Sequence, residues 1–348
     1  MVRRGGPADA EGQAPPSAPA SGSSLEFLAS DSPSEELISE VSGLAPTNPF
    51  YTPAYFRARS ARGVLPFVFA LKRGGELVAG CPAYMREGRW SRTLEVESLP
   101  NLPPGDCTFW DGLDRFCRAR RVAFLEVDTF ASETAGIPSR WAELERRRRT
   151  EHLLDLCDPD GLEGVSSQHI RNFRRARKAG LEVRSSTSVE ALRAHTGLMA
   201  ASMERRRDRG EFVPEVGQYL LGQMEPLLRT GAAELFQAWQ GDRLLSSLLV
   251  LLSQRGGYYQ SAGTTREGMA IGASPFLVHE VACRLRLLGI ERFNLGGADA
   301  TETGLHRFKA GFGGREVTLE RARFVLGNPL ARKLRMLLER LRNRVEQH

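Results

Sequence analysis

Residues 258–297 read YYQSAGTTREGMAIGASPFLVHEVACRLRLLGIERFNLGG, and their pattern decides the fold. The aromatic run at 258–262 predicts a strand, and a glycine-containing loop at 263–273 follows it. A second apolar run at 290–295 predicts another strand. With a helix between the two strands, this order predicts a βαβ-like unit.

Local signals define the helix inside this unit. Ser274 is expected to be its N-cap and Pro275 its first residue, since both residue types favour a helix start. Gly289 follows the last apolar residue and is expected to end the helix. Leu277, Val281 and the leucines after them recur at helical spacing, so this face is expected to pack on a core.

The residues that flank this unit predict a mixed α/β second half. Turns separate strand candidates at 233–240 and 243–253 from the strand at 258–262, which predicts an antiparallel meander. A glycine-rich loop is expected at 296–316, and a last strand at 316–326. The remaining elements predicted in this half are helices at 166–179, 190–207 and 219–228 and a strand at 181–185.

The first half predicts another mixed α/β unit. A Gly-Gly turn between runs at 65–72 and 76–84 is typical of a β-hairpin. The basic run at 140–148 is expected to be a helix. The other predictions are helices at 35–42 and 112–120 and strands at 122–127 and 152–156.

Length and composition set the broad class. The 348 residues predict about two domains, and 41% hydrophobic with 26% charged residues excludes wholesale disorder. No apolar run approaches the 20 or so residues of a membrane helix, and no secretory signal is recognised. An odd count of five cysteines without a C-x-x-C pair predicts a reducing cytoplasm. The expected organisation is a disordered tail at 1–24, domains at 25–160 and 161–327, and an amphipathic basic helix at 328–348.

The chain is basic, with a formal net charge of +6. Arginine runs at 146–149, 174–178 and 205–209 favour an anionic partner such as a phosphate, a coenzyme, a nucleic acid or a lipid headgroup. Solvated surface is the alternative interpretation of each run.

The sequence lacks several common catalytic and metal-binding motifs, which reduces the number of reaction types it can be expected to catalyse. The sequence has no H-E-x-x-H, G-x-S-x-G, Walker or G-x-G-x-x-G motif, and its six histidines are scattered, so no metal site is expected. The glycines before the helix at Ser274 favour an anion site, because backbone N–H groups and the helix dipole point there. Lys309 lies in a predicted glycine-rich loop, where an ammonium group could stabilise an oxyanion.

Four segments carry a resemblance to a known family. They are 257–262, 273–275, 288–297 and 304–314. These motifs resemble the Fem-type, BioF-like N-acyltransferases of the GNAT superfamily, specifically over 166–317 and more loosely over 45–160. The resemblance implies an α/β (α+β) fold of tandem GNAT-like domains, with mixed, mostly antiparallel sheets flanked by helices.

The resemblance also implies transfer of an acyl or aminoacyl group to an amine. The family's Phe-Lys pair near the donor carbonyl matches Phe308 and Lys309, and Tyr258 and Tyr259 match an aromatic strand that lines the acceptor channel. Asp106 matches an acidic residue of the acceptor side. The expected catalytic residues are Lys309, Phe308 and Tyr258, the acceptor-binding residues Tyr259 and Asp106, and the donor-binding residues Arg266, Gly268, Gly272, Ala273 and Ser274.

The sequence does not decide which molecule donates the acyl group or which group accepts the proton of the amine. Acyl-CoA is the leading donor, as a co-substrate with no bound cofactor, and a small-molecule or peptide amine is the acceptor. An aminoacyl-tRNA donor is the alternative, although the long helical arm of such enzymes is missing and Glu215 replaces a frequent arginine. A non-catalytic RNA- or membrane-binding protein on this scaffold is the third hypothesis. Asp106, Tyr258 or the substrate would accept the proton. The expected location is the cytoplasm, with contact to the inner face of the membrane through the C-terminal helix.

Overall fold

The computed structural model describes residues 24–89, 91–105, 107–132, 136–157, 164–210, 218–298 and 303–327. The strands are β1 Leu25–Ser30, β2 Leu65–Arg73, β3 Glu76–Glu87, β4 Arg92–Val96, β5 Phe124–Asp128, β6 Ala142–Asp155, β7 Glu182–Ser186, β8 Ala233–Gln240, β9 Arg243–Leu252, β10 Gly256–Thr264, β11 Arg292–Ala298 and β12 Arg315–Val325. The α-helices are α1 Glu35–Leu44, α2 Pro53–Ser60, α3 Thr108–Ala119, α4 Ser167–Lys178, α5 Val189–Asp208, α6 Gln218–Arg229, α7 Arg266–Ile271, α8 Ala273–Leu287 and α9 Thr303–Ala310. A 3-10 turn at Pro49–Tyr51 lies between α1 and α2.

One mixed sheet runs through both halves in the order β1-β2-β3-β4-β5-β12-β6-β11-β10-β9-β8-β7. Most neighbours are antiparallel, and β4 with β5 and β10 with β11 are the parallel pairs among the described strands. The predicted fold class is therefore confirmed. So are the hairpin of β2 and β3 and the βαβ unit of β10, α7, α8 and β11.

The two halves exchange their last strands. β12, at the end of the described chain, pairs with β5 of the first half, whereas β6 pairs with β11 of the second half. β6 and β12 also pair with each other, and this long ladder joins the halves. The sheet thus continues across the predicted division near residue 160. The tail predicted at 1–24, apart from Ser24, and the helix predicted at 328–348 lie outside the described residues.

Helices cover both faces of this sheet. In the second half, α4 and α8 bury Phe173, Phe276 and Val281 against one face. On the other face, α6 packs on α2 of the first half, and Tyr258 from β10 joins the same core. None of the described helices has the length and apolar character that crossing a bilayer demands.

Three local predictions are wrong. The basic run at 140–148 lies from Ala142 onwards in strand β6, because β12 supplies the backbone partners that a helix would otherwise provide internally. The predicted loop at 263–273 contains α7, and α8 begins at Ala273 with Gly272 as N-cap, so Ser274 is not the cap. The predicted loop at 296–316 contains α9, which carries Lys309.

Backbone contact at Gly256 locks the two halves together. A Cβ built on this glycine would lie 1.9 Å from the carbonyl oxygen of Thr47. We expect Gly256→Ala to lower the free energy of unfolding by about 1–3 kcal/mol or more, because neither backbone can give way cheaply. Gly197→Ala is the matched control: nothing lies within 4 Å of that position in α5, and alanine favours a helix by about 1 kcal/mol. Equal denaturant midpoints for the two variants would contradict this packing.

Candidate functional site

The parallel strands β10 and β11 open into a wedge. They pair only from Gly256 with Arg292 to Tyr258 with Asn294. β10 then changes register against β9 between Tyr259 and Ser261. Beyond this point the described residues of the two strands form no further ladder pairs, and this end of the parallel ladder is the wedge.

The corresponding pair of the first half, β4 and β5, stays closed. Ser98 and Thr129 form an antiparallel bridge just past the paired region. The backbone N–H of Leu99 donates to the carbonyl of Asp128 at 3.0 Å, and that of Phe130 donates to the carbonyl of Glu97 at 3.2 Å. Among the described residues, the open wedge therefore belongs to the second half.

Lys309 reaches from α9 into this wedge. Its side chain is buried, and its Nζ donates to the carbonyl oxygen of Gly297 at 2.8 Å. The ammonium lies 5.5 Å from the ring centroid of Tyr259, within cation–π distance. Gly296, with φ of +73°, is closely surrounded: a Cβ there would lie 3.1 Å from the carbonyl oxygen of Tyr259, 3.5 Å from Nζ and 3.7 Å from the hydroxyl of Tyr258. The glycine thus lets the backbone of β11 approach the buried ammonium and both tyrosines.

A buried polar group lies beside Lys309 on the opposite side of the sheet from α8. The hydroxyl of Tyr258 donates to one carboxylate oxygen of Glu151 at 2.8 Å, and the amide of Asn294 donates to the other at 2.8 Å. Asn294 also accepts from the backbone N–H of Gly296, so this group is tied to the wedge. Burial raises the pKa of Glu151, and the hydrogen bonds from Asn294 and Tyr258 oppose that rise. Burial and the nearby Glu151 raise the pKa of Tyr258 well above its usual value, so its hydroxyl keeps its proton.

The sequence analysis missed Glu151. It lies between the basic run predicted as a helix at 140–148 and the strand predicted at 152–156, and neither prediction includes it. The signal that could have found it is alternation along β6: Glu151 and Leu153 face one side of the sheet and His152 the other.

A cleft of about 340 Å³ lies in the first half, and Arg292 of the second half borders it. Thr47, Ser132 and Arg292 line both this cleft and a smaller cavity that Glu151 and Asn294 also line. The two cavities therefore adjoin, and the smaller one, of about 10 Å³, has room for about one water molecule.

The predicted donor loop is more helical than expected. Thr265 caps α7 by accepting from the backbone N–H of Gly268 at 2.9 Å. Close packing accounts for the presence of glycine at both positions of this loop. A Cβ on Gly268 would lie 2.6 Å from the carbonyl oxygen of Leu245, and a Cβ on Gly272 would lie 2.7 Å from the Cβ of Asn172. Ala273 and Ser274 form the first turn of α8, whose N-terminal end favours an anion.

The α4 helix borders this region. Arg175 donates to the carbonyl of Ala270 at 2.9 Å, at the end of α7. Burial lowers the pKa of the Arg205 guanidinium, and the positive charge of the exposed Arg266, at the start of α7, adds to this lowering. Positive charge thus surrounds the predicted donor loop.

Comparison with known proteins identifies the second half. Residues 166–310 match the family model described as acetyltransferase (GNAT) domain. These residues form a GNAT acyltransferase domain. The match includes the wedge, α7, α8 and Lys309, so the elements described above are the core of the domain. No curated protein sequence matches the chain.

Solved structures show the same fold over both halves. The crystal structure of FemX is 13% identical, covers 84% of this chain and 97% of its own, and has a TM-score of 0.61. L-PGS from Bacillus licheniformis is 11% identical over 90% of this chain and 98% of its own, with a TM-score of 0.51. A tandem GNAT protein from the clavulanic acid biosynthesis pathway is 12% identical over 88% and 100%, with a TM-score of 0.50. At these identities the likeness shows the fold.

The structure brings some predicted residues of the GNAT domain together and separates others. Lys309, Tyr258 and Tyr259 meet at the wedge. Phe308 points away from it and packs against His169 and Phe312 with ring centroids 5.5 and 5.3 Å apart, and thereby supports α9. Arg266, Gly268, Gly272, Ala273 and Ser274 group around α7 and the start of α8. Asp106 lies outside the described residues.

Proposed function

We propose that this chain transfers an acyl group from acyl-CoA to the amine of a small molecule or a peptide. The observation that carries the proposal is the buried Nζ of Lys309 in the wedge between β10 and β11. A thioester carbonyl in this gap would meet a positive charge in a water-poor site, where such a charge stabilises an oxyanion most strongly.

The two faces of the sheet suggest separate entries for the two substrates. The α7–α8 end, with its surrounding arginines, would hold the phosphates of the donor. The amine would enter from the cleft of the first half, through the smaller cavity, which would have to widen to admit it, and meet the hydroxyl of Tyr258, which Glu151 holds in place. Fixing both reactants in register would supply much of the rate.

The chemical step follows from this arrangement. The neutral amine attacks the thioester carbonyl, a C–N bond forms, and Lys309 stabilises the resulting oxyanion. The intermediate then collapses and the C–S bond breaks. The proton lost by the amine ends on the thiolate of the departing coenzyme, so the reaction consumes no net acid or base.

An aminoacyl-tRNA donor is the second candidate, and one observation favours it. Arg171, Arg174, Arg175 and Lys178 lie on α4 at offsets of three, four and seven residues and are all exposed. They form a basic face next to α7, which suits the repeated phosphates of a nucleic-acid backbone.

Donor assays separate the two candidates. We expect acetyl-CoA and longer acyl-CoA thioesters to raise the melting temperature and to support transfer to a panel of amines. Aminoacyl-tRNA is expected to do neither at low micromolar concentration. Transfer from charged tRNA alone would overturn the choice of donor while leaving the acyltransferase assignment in place.

Charge reversal on the basic face sharpens this test. With acyl-CoA as donor, Arg171→Glu combined with Arg174→Glu should leave turnover largely unchanged. With tRNA as donor, the same change should weaken RNA binding and transfer together and reduce the slope of log affinity against log salt by about one per lost phosphate contact. Arg115→Glu with Arg118→Glu on α3 of the first half is the matched control. A loss of transfer specific to the α4 variant would contradict the acyl-CoA proposal.

The proposal also includes the location of the enzyme in the cell. It places the enzyme in the cytoplasm, with the basic amphipathic sequence at 328–348 as the segment that touches the inner face of the membrane. Co-sedimentation of the full chain with anionic vesicles, lost when 328–348 is removed, is the expected result.

A further inference from the structure

His152 is a buried histidine whose ring nitrogens have no hydrogen-bond partner in the part of the chain that the structure describes. It lies on β6 with no exposed surface, and neither Nδ1 nor Nε2 has a hydrogen-bond partner among the described residues. His195, which is equally buried, shows the ordinary situation: its two ring nitrogens bond to Ser247 and Ser261 at 2.9 Å. Buried polar atoms are almost always paired, so two unpaired nitrogens on one ring point to a missing partner.

Two further side chains with metal-binding atoms surround His152. Glu316 lies directly opposite on β12, in the register of the β6–β12 ladder. His306 extends from α9, with its ring centroid 4.8 Å from that of His152 and its Nε2 3.5 Å from a carboxylate oxygen of Glu316. One atom from each of the three residues lies within 4.8 Å of the others.

We propose that His152, His306 and Glu316 bind a divalent transition-metal ion of the zinc class, with water as a further ligand. Two imidazoles and one carboxylate are a donor set that suits Zn²⁺, which prefers four ligands at about 2.0–2.2 Å. Ligand atoms in such a tetrahedron lie about 3.4 Å apart, so the cluster needs only a small contraction. His306 and Glu316 can supply it, because their side chains are 34% and 54% exposed, whereas His152 is fixed in the sheet.

The position of the proposed metal site in the fold indicates what the bound ion would do. It would tie α9 to β6 and β12, and His306 lies one helical turn before Lys309 on α9. The metal ligands are therefore positioning residues for Lys309. This role rests on the proposed function, but the binding of the metal does not.

Titration of the full, tag-free chain with metal alone tests the site. After treatment with a chelator, we expect one Zn²⁺ per chain by calorimetry, a rise in melting temperature on its addition, and the visible absorption of tetrahedral Co²⁺ when cobalt replaces zinc. His306→Ala and Glu316→Gln should each lower the affinity at least tenfold, and both sites are exposed enough for the fold to survive. His152→Ala is less informative, since it leaves a cavity in the core.

Matched controls separate this site from adventitious binding. His279→Ala on α8 and Cys157→Ser remove other metal-binding side chains, and we expect both variants to bind Zn²⁺ as the original chain does. The inference is overturned if the chain binds less than one equivalent, or if His306→Ala and Glu316→Gln bind like the controls. These readouts do not involve acyl transfer, so their failure leaves the proposed function unaffected.

Discussion

Lys309→Met is expected to abolish measurable acyl transfer, a loss of at least about 10³-fold. Methionine keeps the length of the side chain but removes the charge that, in the proposed mechanism, faces the developing oxyanion. The lost hydrogen bond to Gly297 concerns a single carbonyl, so the fold should persist. The measurement is single-turnover transfer with saturating donor and acceptor, with circular dichroism to confirm the fold.

Two further variants sharpen this result. Lys72→Met on β2 removes a lysine in the first half and should transfer at the original rate. Lys309→Arg keeps the charge but places a wide, planar group in a tight gap, so it should also lose most of the activity. Turnover near that of the original chain in a folded Lys309→Met variant would remove Lys309 from the mechanism.

Asp128→Asn is expected to change how stability depends on pH. Asp128 ends β5, is 6% exposed, and has one carboxylate oxygen without a hydrogen-bond partner among the described residues. Burial raises its pKa from 3.8 to about 7, although Arg321 and Arg149 oppose the rise. The folded state therefore holds the proton more tightly than the unfolded state does.

The sign of the effect follows from linkage. Protonated Asp128 contributes to the free energy of unfolding, and this contribution is fully present below pH 4. It is lost as pH rises from about 4 to about 7, because the Asp128 carboxyl group loses its proton at a lower pH in the unfolded chain than in the folded chain. At about 1.4 kcal/mol per pH unit, the loss between pH 5 and pH 8 is about 3 kcal/mol. An asparagine side chain cannot titrate, so the stability of Asp128→Asn should not fall by this amount between pH 5 and pH 8.

Urea denaturation at pH 5 and pH 8 measures the difference. The original chain should lose about 3 kcal/mol more stability over this range than Asp128→Asn does. Asp242→Asn, in the exposed turn between β8 and β9, is the control and should follow the original chain. Parallel pH curves for the original chain and Asp128→Asn would show that Asp128 is ionised in the fold at pH 5.

Local signals determined much of the fold from the sequence alone. Ser166 caps α4 by accepting from the backbone N–H of His169, and Gly180 ends that helix at a φ of +72°. The Gly74-Gly75 turn likewise formed the predicted hairpin of β2 and β3. These elements were predictable because a cap or a turn involves residues only a few positions apart.

The tertiary structure alone decided that the arginine run at 146–149 lies in a strand. This part of β6 has no apolar repeat, and it is a strand because β12, distant in the sequence, pairs with it. Several of its charges find partners in the folded chain, as Arg146 does with Glu320 at 2.7 Å. No local pattern encodes such pairing, since it exists only once both partner strands are in place.

The residues of the candidate site likewise fall into two groups, those that the sequence predicts and those that only the tertiary structure brings together. Lys309 and Tyr258 were predicted from the sequence, because each lies in a contiguous motif. Glu151 meets Tyr258 and Asn294 across 107 and 143 residues, and His152 meets His306 and Glu316 across comparable separations. Histidines that are scattered along the chain indicated no metal site, yet sheet register and the position of α9 bring two of them to one carboxylate. Composition and spacing determine which chemical groups the chain carries, but long-range strand pairing determines which of them touch.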